Sequence, residues 1–379
     1  MWPSPYWRNN VFVFALPTPL SGWGEIETEE IQDRPPSPGQ ARAEKELISL
    51  SLIDELIAKA KQHPKKIALP ECEADKTLLA ARRVLDEGIG YPVLVSPPAV
   101  IAETAARAGV STDGMTIIDT TDEAAQDALV ERYMGYEKLI LSAKGAKRKM
   151  KNPMYYAMIL EAVGDVDAVF CGHVNTTGDV LIAAQQCIGM QDGVDVPSIF
   201  ALTDIPNFTG SEGHIVAMAD CGLNQEPSAE ELASIAIATC DNVKAMMDWE
   251  PRCAFLSFST CGSGSAPSVD KVNDAIKIVR ERRPDLKVDG EFQLDAALRP
   301  EVAAKKVPHP SEVAGKANIL IFPDLNAANI GIKMVQLFAG GKGYGHTLSG
   351  FARPVADSSR GASVEEIVGD IAMVAIAAN

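Results

Sequence analysis

The chain has no apolar run approaching ~20 residues, the length a helix needs to cross a bilayer, so nothing in it reads as a membrane span. The stretch Val11-Phe12-Val13-Phe14-Ala15-Leu16 is too short, and its flanks do not resemble a secretory signal. Positive charge is also scarce. Lys and Arg number 35 against 51 Asp and Glu, for a net charge of −16 over 379 residues. That excludes a nucleic-acid surface, which needs a basic face to neutralise phosphates. Small anions remain accessible ligands if the positive groups gather in one cleft. The 7 cysteines form no C-x-x-C pair, and no histidine spacing suits zinc. They read as reduced, cytosolic and mostly buried. No internal repeat, low-complexity tract, Gly-x-Gly-x-x-Gly fingerprint or Gly-Lys-Ser/Thr phosphate loop occurs in the body of the chain.

With 46% hydrophobic and 23% charged residues, the composition is that of a soluble globular protein of about two domains. Residues 1 to 49 stand apart. They hold Trp2, Trp7 and Trp23, many prolines and no sustained period, and read as a disordered leader. They could also be a mis-called start, because Lys45-Glu46 can be encoded by a purine-rich ribosome-binding sequence. The functional protein would then begin near Leu50.

From Ser51 onward, strand and helix patterns alternate. Leu52, Leu56 and Ile57 mark an amphipathic helix and Lys66–Pro70 a short buried strand. A second helix runs from about Lys76 to Glu87, and Tyr91–Val95 gives another strand. Repeated strand–helix units predict an α/β fold with mostly parallel sheets and helices on both faces.

Several strand–loop–helix segments could hold a ligand, since the loops after parallel strands form the binding edge of such sheets. Asp165–Gly172 reads as a buried strand, followed by His173-Val174-Asn175-Thr176-Thr177-Gly178 and a helix from about Asp179, capped by Thr177 or Asp179. Ala254–Ser259 is the next strand. It leads into Thr260-Cys261-Gly262-Ser263-Gly264-Ser265 and a helix with Ser268 at its cap. Asp289-Gly290-Glu291 is dense in carboxylates and fits either a site or a solvated turn after a strand. Asn318–Pro323 is a further buried strand, followed by a helix through Lys333, Val335 and Phe338. Gly340, Gly341, Gly343, Gly345 and Gly350 mark a flexible, tightly turning segment.

The densest signal lies at Asp357-Ser358-Ser359-Arg360-Gly361. It presents hydroxyls and a guanidinium just before Ser363-Val364-Glu365-Glu366, which has the form of a capping box opening an apolar-faced helix. Free N–H groups at a helix start attract anions, and an arginine fork beside them makes a two-sided phosphate grip.

Together these segments resemble the phosphate acetyl/butyryl transferase family from Leu50 to the C-terminus. The likeness includes Ala68-Leu69-Pro70-Glu71, Ala219-Asp220-Cys221 with Asn224 and Pro227, and Ser257-Phe258-Ser259-Thr260. Asp289-Gly290-Glu291 with Gln293 and Asp295-Ala296-Ala297 follows. Pro308, Ser311, Val313-Ala314-Gly315, Phe322-Pro323 and Ser359-Arg360-Gly361 complete the set, all in order along the chain.

The resemblance implies acyl transfer between coenzyme A and inorganic phosphate, with coenzyme A as a substrate and no metal or other cofactor. It implies two α/β domains in the isocitrate/isopropylmalate dehydrogenase-like fold, here 50–195 plus 346–379 and 196–345, and a cytoplasmic homodimer. Ser359 and Arg360 match the residues at the acyl phosphate, and the base that deprotonates the thiol falls on Glu366. Ser259, Thr260, Gly262, Ser263, Thr176, Thr177, Asn329 and Lys333 are the candidate substrate-binding residues. No nucleic acid or membrane partner is implied.

The chain departs from the family pattern in places. Glu366 replaces an aspartate, and either acts as the base or completes the cap with Ser363. Two phosphate-holding arginines are replaced, near Leu141 and at Ile182. Lys147, Arg148, Lys149 and Lys151 either compensate or form a solvated helix face. Cys261 replaces a lysine, and His346 a proline. A family member that binds acyl-CoA or acyl phosphate without turning it over, as a sensing module, is the alternative. An acyltransferase for propionyl or butyryl groups is another.

Overall fold

A computed structural model of the protein describes residues 52–345 and 347–378. The leader, the start near Leu50 and His346 lie outside the described residues. The elements follow one another as α1 (Leu52–Ala60), β1 (Lys65–Leu69), α2 (Asp75–Asp86), β2 (Gly90–Val95), α3 (Pro98–Ala108), β3 (Thr116–Ile118) and α4 (Glu123–Tyr133). Then come α5 (Ala143–Lys149), α6 (Pro153–Ala162), β4 (Ala168–Cys171), α7 (Thr177–Cys187), β5 (Ser198–Asp204), β6 (Ile215–Ala219), α8 (Ala229–Met247) and β7 (Arg252–Leu256). The chain continues through α9 (Pro267–Arg282), β8 (Lys287–Phe292), α10 (Leu294–Leu298), α11 (Pro300–Lys306), β9 (Ile319–Ile321) and α12 (Leu325–Ala339). It closes with β10 (Lys342–Tyr344), β11 (Thr347–Ser349), β12 (Val355–Asp357) and α13 (Val364–Ala377).

The strands form one 12-stranded sheet in the order β3-β2-β1-β4-β12-β11-β5-β6-β9-β7-β8, with β10 beside β5. Pairing is parallel from β3 to β12 and again from β6 to β8. It is antiparallel where β12, β11, β5 and β6 meet. The result is the expected α/β architecture, mostly parallel, with an antiparallel seam between two parallel wings.

Alternation along each buried strand explains why helices cover both faces. Ala168 and Phe170 of β4 join a core cluster with α1, α2, α8 and α13, while Val169 and Cys171 join a second cluster with α6 and α7. In the other wing, Cys253 and Phe255 of β7 face the first cluster and Ala254 and Leu256 a third. Side chains two apart share a face, so a continuous apolar strand needs cover on both sides. One core cluster runs under the whole sheet, and each wing carries its own on the other face.

Several boundaries differ from the sequence expectation. The strand expected over 165–172 is confined to Ala168–Cys171, because Asp165 pairs with Arg132 at 2.6 Å and Asp167 accepts the Lys66 N–H at 2.7 Å. Thr176, not Thr177 or Asp179, caps α7, in a capping box with Asp179. α9 starts at Pro267 with Ala266 before it, so Ser268 lies inside the helix; proline needs no N–H partner in a first turn. Asp289–Glu291 belongs to β8 itself and is no solvated turn. The glycine-rich 340–350 segment contains the paired strands β10 and β11. The Lys147–Lys151 run is the surface of α5 and the turn after it, where Lys147 pairs with Asp127 and Lys149 sits 4.3 Å from the centre of the Tyr155 ring.

Candidate active site

The carboxyl ends of β1, β4 and β12 lie side by side, and each strand runs directly into polar residues. β1 delivers Glu71, β4 the loop 172–176, and β12 the turn from Ser358 to Gly361 that opens α13. Glu71 is buried and holds the middle loop by its amides. Its Oε1 accepts the N–H groups of Gly172 at 3.1 Å and Asn175 at 2.8 Å and the Asn175 side-chain amide at 2.7 Å, while Oε2 accepts the His173 N–H at 2.6 Å. Gly172 must be glycine, since a Cβ there would lie 2.1 Å from Asp357 Oδ1 and 2.7 Å from the Ser358 nitrogen. The two loops therefore touch backbone to backbone, and the Ser358 N–H donates to the Cys171 carbonyl at 2.9 Å.

Behind the Ser359–Arg360 turn stands a row of acids. Thr177 Oγ1 donates to Asp357 Oδ2 at 2.6 Å, and Ser358 Oγ donates to Asp370 Oδ2 at 3.0 Å. Burial raises Asp357 to about 6, with the Thr177 bond pulling against it and the Glu71 charge adding to it. Burial raises Asp370 to about 7; the Ser358 bond opposes the rise, and the charges of Glu366 and Asp357 reinforce it. His173 lies against the Phe170 ring, 6.3 Å between centres, and burial holds its imidazole below the usual range. The Lys76 ammonium reaches the Ala362 carbonyl at 2.7 Å and fixes the far side of the turn.

Two cavities meet at Ser359. One, of about 620 Å³, is lined by Thr176, Thr177, Gly222, Asp357, Ser359 and Arg360. The other, of about 840 Å³, is lined by Lys342, Tyr344, Ser359, Gly361, Glu366 and Asp370, among others. Ser359 and Arg360 are both exposed at this junction. The wall at Gly222 is set by Asp220, whose carboxylate accepts the N–H groups of Ile199 at 3.1 Å, Gly222 at 3.0 Å and Asn224 at 2.8 Å. A smaller cavity, of about 410 Å³, opens at the amino ends of β4 and β12, at Asp167 and Pro354, and touches none of the candidate residues.

The sequence-derived candidates fall into three groups. Thr177, Ser359, Arg360 and Glu366 border the paired cavities, as does Thr176, whose hydroxyl bonds Asp179 in its cap. Glu366 closes the expected box, its Oε2 accepting the Ser363 N–H at 2.7 Å while its own N–H donates to Ser363 Oγ at 3.2 Å.

The 259–263 loop follows β7 and is turned largely on itself. Ser259 Oγ donates to Glu291 Oε1 at 2.7 Å, the Gly262 N–H donates to the same oxygen at 2.8 Å, and Ser263 Oγ accepts the Thr260 N–H at 2.9 Å. Thr260 Oγ1 accepts the Gln293 N–H at 2.9 Å. Burial would raise Glu291, but the Gly262 amide and Ser259 hydroxyl outweigh it and leave this acid below its usual range. Asn329 and Lys333 are exposed on α12 and line neither cavity, although Gln336 of the same helix lines the larger one.

Glu71 and Asp357 entered the sequence reading only as members of motifs, with no role of their own, and Asp370 did not enter it. Asp370 carried a signal even so, being the sole charged residue between Ile367 and Ile376 in an otherwise apolar helix. Among the described residues, no group of three or more His, Cys, Asp or Glu side chains is set to hold a metal.

Comparison with known proteins bears on this arrangement. The profile of the family described as phosphate acetyl/butaryl transferase matches residues 51–378. A phosphate acetyltransferase of Clostridium acetobutylicum is 38% identical over 330 residues, covering 87% of this chain and 99% of the relative. One of Thermoanaerobacterium thermosaccharolyticum is 40% identical, covering 87% of this chain and 100% of the relative. Among solved structures, a phosphotransacetylase from Streptococcus pyogenes superposes with a TM-score of 0.75 at 34% identity, covering 86% of this chain and 97% of that one.

Proposed function

Because the chain belongs to the phosphate acetyl/butaryl transferase family, we infer that its phosphate acetyltransferase reaction takes place at the Ser359–Arg360 turn. The enzyme is an acyltransferase that moves an acetyl group between coenzyme A and inorganic phosphate, in either direction. The observation that carries the assignment is one exposed hydroxyl and one guanidinium where two cavities meet, backed by three buried or half-buried acids.

Each part has a task in the chemistry. The thiolate is the nucleophile, so a carboxylate must take the proton of a group of pKa ~8.5. Attack on the acetyl carbon forms a tetrahedral oxyanion, which needs donors aimed at it; the Ser359 hydroxyl, which accepts the Gly361 N–H and keeps its own proton to give, is the donor in this reading. The C–O bond to phosphate then breaks and its electron pair leaves with the phosphate. Arg360 offers that dianion a planar two-pronged donor. Glu71 and Asp220 hold the surrounding loops by their backbone amides, so the donors need no reorganisation as charge develops. The oxidation states do not change, and coenzyme A enters as a substrate.

We propose further that the enzyme is a homodimer joined through α12. On that helix Ile330, Met334, Leu337 and Phe338 are 60%, 52%, 79% and 80% exposed and share one side at i, i+4, i+7 and i+8. A monomer that left this stripe in water would expose an apolar patch larger than is usual. The seven thiols, all free, support a reducing cytoplasmic location. Among the described residues no helix is long and apolar enough to cross a membrane.

The test is release of free coenzyme A from acetyl-, propionyl- and butyryl-CoA by the purified protein, with and without phosphate. Phosphate-dependent release, fastest with acetyl-CoA, is expected. Binding of acyl-CoA with no release under any condition would instead indicate a sensing module.

A further inference from the structure

We propose that Asp370, rather than Glu366, receives the proton of the coenzyme A thiol. The proposal rests on the acyltransferase reading above and assigns its proton acceptor. Asp370 lies one helical turn beyond Glu366 on α13 and lines the 840 Å³ cavity together with Ser359 and Gly361. Side chains on a helix lean toward its N-terminus, so this carboxylate points back at the turn. It accepts from Ser358 Oγ at 3.0 Å, and Ser358 is the neighbour of the hydroxyl shared by both cavities.

Glu366 is differently occupied. One of its oxygens takes the Ser363 N–H at 2.7 Å at the start of α13, which ties that carboxylate into the helix cap. Asp370 has the opposite environment, half-buried in an apolar helix, and its affinity for a proton is matched to a neutral-pH transfer. The charges of Glu366 on α13 and Asp357 at the end of β12 act on it, and Glu365 on α13 with Lys342 and Tyr344 on β10 line the same cavity. Burial raises the Tyr344 hydroxyl, which stays neutral through the working range.

In the direction that consumes coenzyme A, the S–H bond breaks and the proton passes to the Asp370 carboxylate. The sulfur pair forms the C–S bond to the acetyl carbon, and the C–O bond to phosphate breaks toward Arg360. The proton on Asp370 then returns to water or to the departing phosphate, and nothing is oxidised or reduced. Reversal makes protonated Asp370 the donor to the leaving thiolate.

The test compares the full-length wild type with Asp370→Asn, Glu366→Gln and Ser358→Ala between about pH 5.5 and 9, in the direction consuming coenzyme A. Asp370→Asn should lower kcat at neutral pH by at least ~100-fold, with both KM values held within about threefold. Its residual rate should climb roughly tenfold per pH unit until the thiol ionises unaided near ~8.5. Ser358→Ala removes a donor to the ionised acid, so the acid limb of the pH profile should move to higher pH. Glu366→Gln keeps an oxygen for the Ser363 N–H and should lower kcat far less than Asp370→Asn, with the acid limb of the pH profile left in place.

The proposal is overturned if Asp370→Asn retains its kcat, if Glu366→Gln takes the whole loss, or if the Ser358→Ala limb does not move. Should Asp370→Asn fail to fold, the Ser358→Ala profile decides alone. A wild type that transfers no acyl group would remove the acyltransferase reading itself, a result separate from any difference among the variants.

Discussion

Substituting Glu71 by Gln isolates what holds the 172–176 loop against the Ser359 turn. The carboxylate accepts four hydrogen bonds, at 3.1, 2.6, 2.8 and 2.7 Å. A glutamine whose oxygen replaces Oε1 keeps three of them, but to a neutral acceptor, which lowers each by about 1 kcal/mol. Its NH₂ then faces the His173 N–H, donor against donor, and leaves a part-buried amide without a partner for another ~1–3 kcal/mol. Relief from burying a charge offsets part of this sum. A net destabilisation of about 3 kcal/mol remains, within the usual range for a broken buried network. With an m-value of about 3 kcal/mol/M, the urea midpoint followed by circular dichroism should fall by about 1 M. The same variant should lose kcat, because Gly172 and Thr177 set the position of Asp357. A midpoint within ~0.3 M of wild type would refute the idea that Glu71 is the loop's anchor.

Three further outcomes are expected. Ser363→Ala removes the N-cap oxygen that accepts the Glu366 N–H, which should lower stability by about 1 kcal/mol and the melting temperature by roughly 2–4 °C; an unchanged melting temperature would contradict the cap. Asp370, at about 7 when folded against an ordinary 3.8, binds its proton more tightly folded than unfolded, so its contribution is full below about pH 4 and is lost as pH rises through 7. Asp370→Asn should therefore gain stability on wild type between pH 5 and 8, by roughly 1–4 kcal/mol, and a constant difference across that window would count against the buried acid. Leu337→Glu with Phe338→Glu should turn the proposed dimer into a monomer in sedimentation velocity, while a dimer that persists in the variant places the interface elsewhere.

The sequence was legible where one period dominates. Leu52, Leu56 and Ile57 mark α1, Ile67–Leu69 the buried end of β1, and Ser363 with Glu366 the start of α13. It misled where a tertiary partner overrides local chemistry. Asp289 and Glu291 look like turn residues, but Arg280, His309 and Ser311 satisfy the first and Ser259 and Gly262 the second, so both sit inside β8. The glycines at 340–350 suggest a loose loop, yet pairing with β5 orders β10 and β11. The site was half visible. Ser359 and Arg360 stand out as residue types, whereas Asp370 lies within apolar neighbours and gains its meaning only when Ser358 folds onto it. The hydroxyls of Ser259 and Thr260 suggested ligand contacts, and nothing in a linear pattern reveals that Glu291 and Gln293 engage them first.

The most direct test of the central claim, that Arg360 grips the phosphate beside Ser359, is the pair of KM values for Arg360→Ala in the phosphate-consuming direction. Loss of charge-assisted bonds of ~1.5–3 kcal/mol predicts a KM for phosphate raised about 10- to 150-fold, with the KM for acetyl-CoA within about threefold. An unchanged KM for phosphate would contradict it.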